Sequence, residues 1–434
     1  MTTMIMRTTV SARAMLPGVA LFLLLLNCIS AKADDELTPI ESQDLEPAAT
    51  VEEVIAEGEA IRINDSTNEN PDAGRMAEKK RLEKLETDTP SLDLNLYGSV
   101  RLHAINTFNL EDLGTSHELG DGASRGGLSG RWNVAHGWDL FGRVETGFDI
   151  LDTFTSKGQA EDENQLRLAN IGLEGEEFFL KYGKSWSVYY TVAGEADRFA
   201  IFGGNATGTY NAGTDGGATG TGRADDALQT MVYIDPKGWQ SIKPFNLNLQ
   251  YATGQPIPEV RGQKYDYSWS ASAWLESTSN LGVGLAYLHA AVENRESPEV
   301  VAAGIDGNAT AASIALKTYG DKWLASLILA KLNNIETTEL NQYFNGEGAE
   351  LFVQWQFAND FWLVGGGNWL IPDEDNPLVG DYSVKYGVLG LHYSIDSFNR
   401  MLYVEWKDDH GRLSNGLQRK NEFTLGIRWD LGYQ

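Results

Sequence analysis

The sequence predicts an all-β protein, a 16-stranded antiparallel transmembrane β-barrel, and three observations predict it. From Leu92 onward apolar and polar residues alternate in about sixteen segments, each close to the ~9–11 residues that cross a bilayer at a tilt. The connections between these segments are short and long in turn. The composition, with 46 Gly, 17 Tyr, 16 Phe and 12 Trp in 434 residues, suits many strands with aromatic girdles at the two membrane interfaces.

The first segment sets Leu92, Leu94 and Leu96 against Asp93, Asn95 and Tyr97, then Val100 and Leu102 against Ser99, Arg101 and His103. The last is the cleanest, with Phe423, Leu425, Ile427, Trp429, Leu431 and Tyr433 on one face and Thr424, Gly426, Arg428 and Asp430 on the other. The predicted strands span 92–106, 124–134, 138–149, 164–174, 177–186, 227–235, 244–253, 264–276, 280–291, 308–319, 322–332, 348–357, 361–371, 380–394, 398–408 and 421–433. Short turns such as 135–137, 175–176, 277–279, 320–321 and 358–360 follow even-numbered strands. Long polar loops, 107–123, 150–163, 187–226, 254–263, 292–307, 333–347, 372–379 and 409–420, follow odd-numbered ones. That sorting is the layout of an outer-membrane barrel, and an even strand count brings both ends of the barrel to the short-turn side. A soluble sandwich alternates too, but its loops do not sort this way. In lipid every backbone polar group must be paired within the protein, and a closed sheet meets that demand.

Residues 1–33 read as a signal peptide. Arg7 and Arg13 precede an apolar run, Leu16 to Leu26, and Ala31-Lys32-Ala33 fits the cleavage pattern, so the mature chain is expected to start at Asp34. Cys28, the only cysteine, falls within this segment, which leaves the mature chain without disulfide or thiolate chemistry. Residues 34–90 hold 17 acidic and 6 basic residues and no aromatic one, as expected of an acidic, largely disordered periplasmic linker. A short helix over 76–87 is expected within it, from Glu78, Lys79, Leu82, Glu83 and Lys84. The barrel domain is expected to fill 91–434. The net charge of −27 disfavours nucleic acid as a partner and is compatible with a cation-leaning pore.

Several stretches together resemble the Gram-negative porins, the trimeric general-diffusion family. They are Leu96-Tyr97-Gly98-Ser99-Val100, Arg167 to Gly175, Leu180 to Tyr190, Phe202-Gly203-Gly204-Asn205, Gly208-Thr209-Tyr210-Asn211 and Gly220 to Asp225, and the resemblance covers about 92–433. It implies an outer-membrane homotrimer among lipid and lipopolysaccharide, forming a water-filled channel for small hydrophilic solutes and ions, with no cofactor and no catalysis. It also implies that the third long loop folds into the barrel and narrows it. One departure is the chain end, where Tyr433 is followed by Gln434 although the family usually ends on an aromatic residue.

The matching loop, 187–226, supplies Glu195, Asp197, Asp215 and Asp225 as acidic candidates for the constriction. Alternation puts Arg101, Arg125, Arg131, Arg143, Arg167 and Lys181 on the lumen side, because Leu102, Trp132, Val144, Leu166 and Leu180 take the lipid side. Opposed acidic and basic rows would set a transverse field across the pore. Tyr189, Tyr190 and Tyr210 are the candidates for solute contacts. Trp269, Trp274, Trp323, Trp355, Trp362, Trp369, Trp406 and Trp429 are expected in girdles or on the lipid face, the other reading being a sugar-stacking track of an oligosaccharide channel. A barrel enzyme would need a Ser, a His and a carboxylate together. Ser99 and His103 share a face without an evident third partner, and no metal-ligand or nucleophile motif is present in the sequence.

Overall fold

The structure, a computed structural model, describes residues 91–108, 115–135, 137–151, 164–175, 178–236, 241–373, 377–396 and 399–432. The expected signal peptide, the acidic linker with its helix over 76–87, and the Tyr433-Gln434 end lie outside these residues. The strands are β1 (Leu92–Phe108), β2 (Thr115–Asp121), β3 (Arg125–Ala135), β4 (Trp138–Phe148), β5 (Asn164–Glu174), β6 (Phe178–Trp186), β7 (Arg223–Ile234), β8 (Phe245–Thr253) and β9 (Tyr265–Glu276). They continue as β10 (Leu281–Val292), β11 (Ala309–Gly320), β12 (Trp323–Thr337), β13 (Tyr343–Ala358), β14 (Phe361–Pro372), β15 (Val384–Ser394), β16 (Arg400–Asp409) and β17 (Asn421–Leu431).

From β3 onward each strand pairs antiparallel with the next, and β17 returns to β1, from Phe108↔Asn421 to Gly98↔Leu431, so the sheet closes. β2 and β3 lie end to end along one edge of β1, β2 opposite Leu102–Phe108 and β3 opposite Leu92–Ser99. Together they make one barrel strand, so the seventeen segments form the expected sixteen-stranded barrel.

Three predicted loops are shorter than expected. β2 occupies much of 107–123, β7 begins at Arg223 inside 187–226, and β12 and β13 run to Thr337 and from Tyr343 inside 333–347. The cause is common to the first and third. Above the apolar band lipid no longer requires an apolar outer face, so the alternation fades while the backbone ladder continues, as in Lys331↔Glu347 and Asn333↔Asn345. Near the start of β7 the strand carries irregular register against β6, and acidic Asp225 and Asp226 read as loop.

Outward residues such as Leu94, Leu96, Leu128, Val144, Ile171 and Leu425 are exposed, whereas the alternate positions Tyr97, Ser99 and Arg101 are buried. Trp132, Trp138, Trp323, Trp355, Phe361 and Trp429 sit exposed at the short-turn end, an interfacial girdle. Trp274 and Trp362 depart from the expectation, since both point inward; Trp274 holds the third loop and Trp362 is 9% exposed. The many glycines have a packing reason. Tyr97, Phe141 and Tyr403 lay their rings across Gly127, Gly172 and Gly426, their direct cross-strand partners, where any Cβ would strike the ring. Such aromatic–glycine pairs fill the inner face and fix register.

Candidate functional site

The third long loop leaves β6 at Ser187 and rejoins the wall at Gly222. Its ends are tied together. The Ser187 amide donates to the Gly222 carbonyl at 2.8 Å, and the Ser187 hydroxyl donates to the Thr221 carbonyl at 2.8 Å. The same hydroxyl accepts the Tyr190 amide at 2.9 Å, which starts the short helix α1 (Tyr190–Ala193). From there the loop turns inward.

Its apolar side covers one half of the barrel wall. Val192, Ala196, Phe199, Phe202 and Ala206 form one core with Leu288, Ile328, Phe352 and Val388 of β10 to β15. Phe199 meets Phe352 edge-on, with centroids 5.0 Å apart. Much of the inner face of this half is apolar, unlike the usual polar barrel interior, because the loop rather than water fills it. The Trp274 indole N–H donates to the Thr191 carbonyl at 2.7 Å and fixes the loop's first turn.

Polar side chains of the same wall take the loop's backbone groups. Glu405 accepts the Ala200 and Ile201 amides at 2.7 and 3.3 Å, Asn368 the Asn205 amide at 3.1 Å, and Glu350 the Ala206 amide at 2.8 Å. The Tyr386 hydroxyl donates to the Phe202 carbonyl at 2.8 Å. A buried loop outside regular structure must find such partners, since an unpaired buried amide is costly. Gly348 allows the close approach: a Cβ there would collide with the Ala206 carbonyl oxygen.

The opposite wall is charged. Arg101 of β1 stands directly across from Arg428 of β17, and Arg125 of β3 across from Ser99, the next inward position on β1. Arg428 pairs with Asp430 at 2.6 Å, while the Ser99 hydroxyl donates to Asp430 at 2.5 Å and accepts from Arg101 at 2.9 Å. Glu145 of β4 is a shared acceptor. Arg167 reaches one oxygen at 2.9 Å and Arg143 the other at 3.0 Å, with Arg125 close enough to act on it electrostatically. Arg143 also lies over the Tyr97 ring, 4.6 Å from its centroid. Arg167 sits in a bulge, unpaired between Thr146↔Leu166 and Glu145↔Leu168. At the far end Lys184 bridges Asp215 at 2.8 Å and Asp225 at 2.7 Å, and Arg223 reaches Asp215 at 3.3 Å.

The residues expected at the constriction therefore divide. Arg101, Arg125, Arg143 and Arg167 gather on one wall. Arg131 and Lys181 lie in a lower cross-strand row with Phe141 and Gly172, and Arg131 pairs there with Asp139 at 3.0 Å and Glu174 at 2.9 Å. Glu195 and Asp197 are on the loop as expected, Glu195 buried and Asp197 half-buried. Glu195 pairs with Arg198 and, at 3.0 Å, with Lys317 of β11. Burial works to raise its carboxyl, yet the two cations outweigh that and hold it below the ordinary carboxylate range. Asp197 goes the other way, raised by burial although the Tyr190 and Tyr210 hydroxyls both donate to it at 2.9 Å. Asp215 remains in the loop, whereas Asp225 belongs to β7, a correction that follows from the strand's early start. Tyr189 is completely buried, with its hydroxyl on the Thr207 carbonyl at 2.9 Å, and Tyr190 is stacked on Trp186 at 4.3 Å. These two rings build the loop; Tyr210 is the most exposed of the three tyrosines.

Alternation missed Lys184, because its even position matches lipid-facing Tyr182. Gly183, at φ +119°, breaks the period and turns Lys184 inward. Glu350 and Glu405 were legible in principle, each on an inward position beside an outward apolar residue, Leu351 and Trp406.

The Gram-negative porin family profile matches residues 75–433. Among curated proteins, outer membrane porin N of Escherichia coli (strain K12) is 23% identical over 372 residues, covering 77% of this chain and 91% of that protein. Among solved structures, OmpF of Salmonella typhi in complex with daunomycin superposes with a TM-score of 0.62 at 18% identity, covering 78% of this chain and 97% of that one. The anion-selective porin of Comamonas acidovorans gives 0.57 at 15%, covering 79% and 100%. The outer-membrane channel DcaP of Acinetobacter baumannii gives 0.56 at 13%, covering 79% and 98%.

Proposed function

Since this chain belongs to the Gram-negative porin family and is an outer-membrane diffusion channel, we propose that it passes small polar solutes and ions as a homotrimer, without marked solute specificity. The observation that carries this reading is the third loop, which is bonded to the β13–β16 wall and faces a wall of charged side chains. The passage is read as running between the loop and the β17–β7 wall, where apolar solutes would have to shed hydration beside fixed charges. Lipid and lipopolysaccharide are the proposed surroundings, and residues 1–33 the proposed export signal.

A cation-leaning conductance is the finer part of the proposal. It is supported by the net charge of −27 and by exposed acids of the long loops, among them Glu259, Glu293, Glu296 and Glu339. Such charges raise the local cation concentration at a channel mouth. With Glu195 buried in ion pairs and Asp197 engaged by two tyrosine hydroxyls, the lean is assigned to these rim acids rather than to the inward loop. In a salt gradient across a planar bilayer, the reversal potential is expected to take the sign of potassium preference, and neutralising Glu293, Glu296 and Glu339 together to reduce it. A chloride-signed potential in the unaltered protein would remove this part of the reading.

A further inference from the structure

The long loops over the β8–β16 half of the barrel are packed on one another. Loops mostly run over a surface and give their side chains to water. Here Ile257 and Val260 of the 254–263 loop, Val300 of the short helix α2 (Pro298–Ala302) and Val379 are all buried. Tyr343, at the start of β13, ties two of these loops to its own. Its ring is fully buried, its hydroxyl donates to the Pro258 carbonyl at 2.8 Å, and its amide donates to the Ala303 carbonyl at 2.8 Å. The next residue, Phe344, lies 5.5 Å from Tyr382 between ring centroids, and the Ser414 amide donates to Glu339 at 2.7 Å. These contacts join the outer loops of this half into a roof.

The roof and the inward third loop share one core. Ile257, Val300 and Tyr343 belong to the same buried cluster as Phe199, Phe202 and Ala206. The upper part of β12 makes the link. Leu332 and Ile335 are fully buried there, and Gly208 of the third loop lies so close that a Cβ would stand 3.0 Å from the Leu332 side chain and 3.1 Å from that of Ile335. Farther along the same loop the Ala212 amide donates to Glu336 at 3.4 Å. On the roof side Gly304, at φ +82°, brings its backbone against Tyr343, where a Cβ would come within 2.9 Å of the Tyr343 carbonyl oxygen. A close-packed interior has low compressibility, so a shift at one edge is passed on to the other.

We propose that the roof and the third loop are one conformational body, so that an event that loosens the roof at the outer surface is transmitted to the constriction. Tyr343 is the positioning residue of this coupling. The wall carboxylates Glu350 and Glu405 hold the loop at a few backbone amides, whereas the roof holds it through the shared apolar core. Truncating a fully buried ring removes that packing and leaves a cavity beside it. The third loop then rests on its polar ties alone, and packed elements of this kind move between discrete positions rather than bending gradually. The coupling is a property of the packing and is measurable without passing current.

The test is hydrogen exchange of the folded protein in detergent, read by mass spectrometry on peptides covering 199–207, 254–263 and 333–347. Tyr343→Ala should speed exchange about tenfold or more in the roof and in 199–207 alike, because the two open as one unit. Tyr343→Phe removes only the hydroxyl tie to Pro258 and should give a smaller change in the same places. Leu417→Ser, at an exposed roof tip outside the shared core, should move neither. Folding of each variant is checked by its heat-dependent shift on a gel. If Tyr343→Ala does not fold, Ile257→Ala makes a smaller cavity in the same core and is read in the same way. Planar-bilayer currents of the opened variants should switch between levels more often than those of the parent. Faster exchange confined to 254–263 and 333–347, with 199–207 as protected as in the parent, overturns the inference and leaves the channel reading standing. Folded parent protein that passes no current would count against the channel reading, while the exchange result would still decide the coupling.

Discussion

Gly348→Val lowers the single-channel conductance and makes it noisy. The residue faces inward from β13, and even a single added carbon would overlap the Ala206 carbonyl oxygen. The loop cannot yield sideways, because Phe199 is packed on Phe352 below it and Tyr386 holds the Phe202 carbonyl. It must lift off the wall, toward the charged side of the channel. Overpacking of this kind costs about 1–3 kcal/mol. That is enough to populate several loop positions while the barrel ladder, which does not run through this contact, stays closed. Gly348→Ala should act in the same direction and less strongly. Single-channel recording beside a gel assay of the folded barrel separates the two effects. Quiet channels of unchanged conductance from Gly348→Val would show that the loop does not rest on β13.

The second large effect is expected from Glu350→Ala combined with Glu405→Ala. Together these carboxylates accept the Ala200, Ile201 and Ala206 amides. Each amide left without a buried partner costs about 1–3 kcal/mol unless water reaches it. Water entering behind the loop is the easier route, so the loop should detach on that side. The expected record is a higher mean conductance with frequent transitions between levels. The glutamine pair should be milder, since a side-chain carbonyl can still accept one amide. The His392 ring, 3.0 Å from Glu405, would lose its partner in the alanine pair and keep one in the glutamine pair. Loop-proximal protease sites provide a second readout. If the double variant is as quiet and as protease-resistant as the parent, the carboxylates do not hold the loop.

Much of this was legible in the sequence, for a physical reason. Lipid on one face and a filled interior on the other force a period of two, so Leu94, Leu128 and Val144 announce the outside and Arg101, Arg125 and Arg143 the inside. The legibility ends where that forcing ends. Above the lipid band the alternation stops, and β2 and the upper parts of β12 and β13 were read as loops although their ladders continue. It also ends at bulges. Gly183 reverses the facing of Lys184, and the bulge at Arg167 shifts the register between β4 and β5. Inside the loop no period exists at all. Glu195 and Asp197 fall in the right segment, but nothing in their spacing tells that Lys317 and two tyrosines engage them. Tyr189 illustrates the same limit, a ring expected to meet solute that instead packs wholly inside the loop.

The most direct test of the account is a planar-bilayer recording of the purified protein, without added ligand. A diffusion channel narrowed by a fixed loop predicts large, steady, ohmic steps, and the proposed trimer predicts that they close in thirds. Folded protein, verified by its gel shift, that inserts and yet passes no current would contradict it.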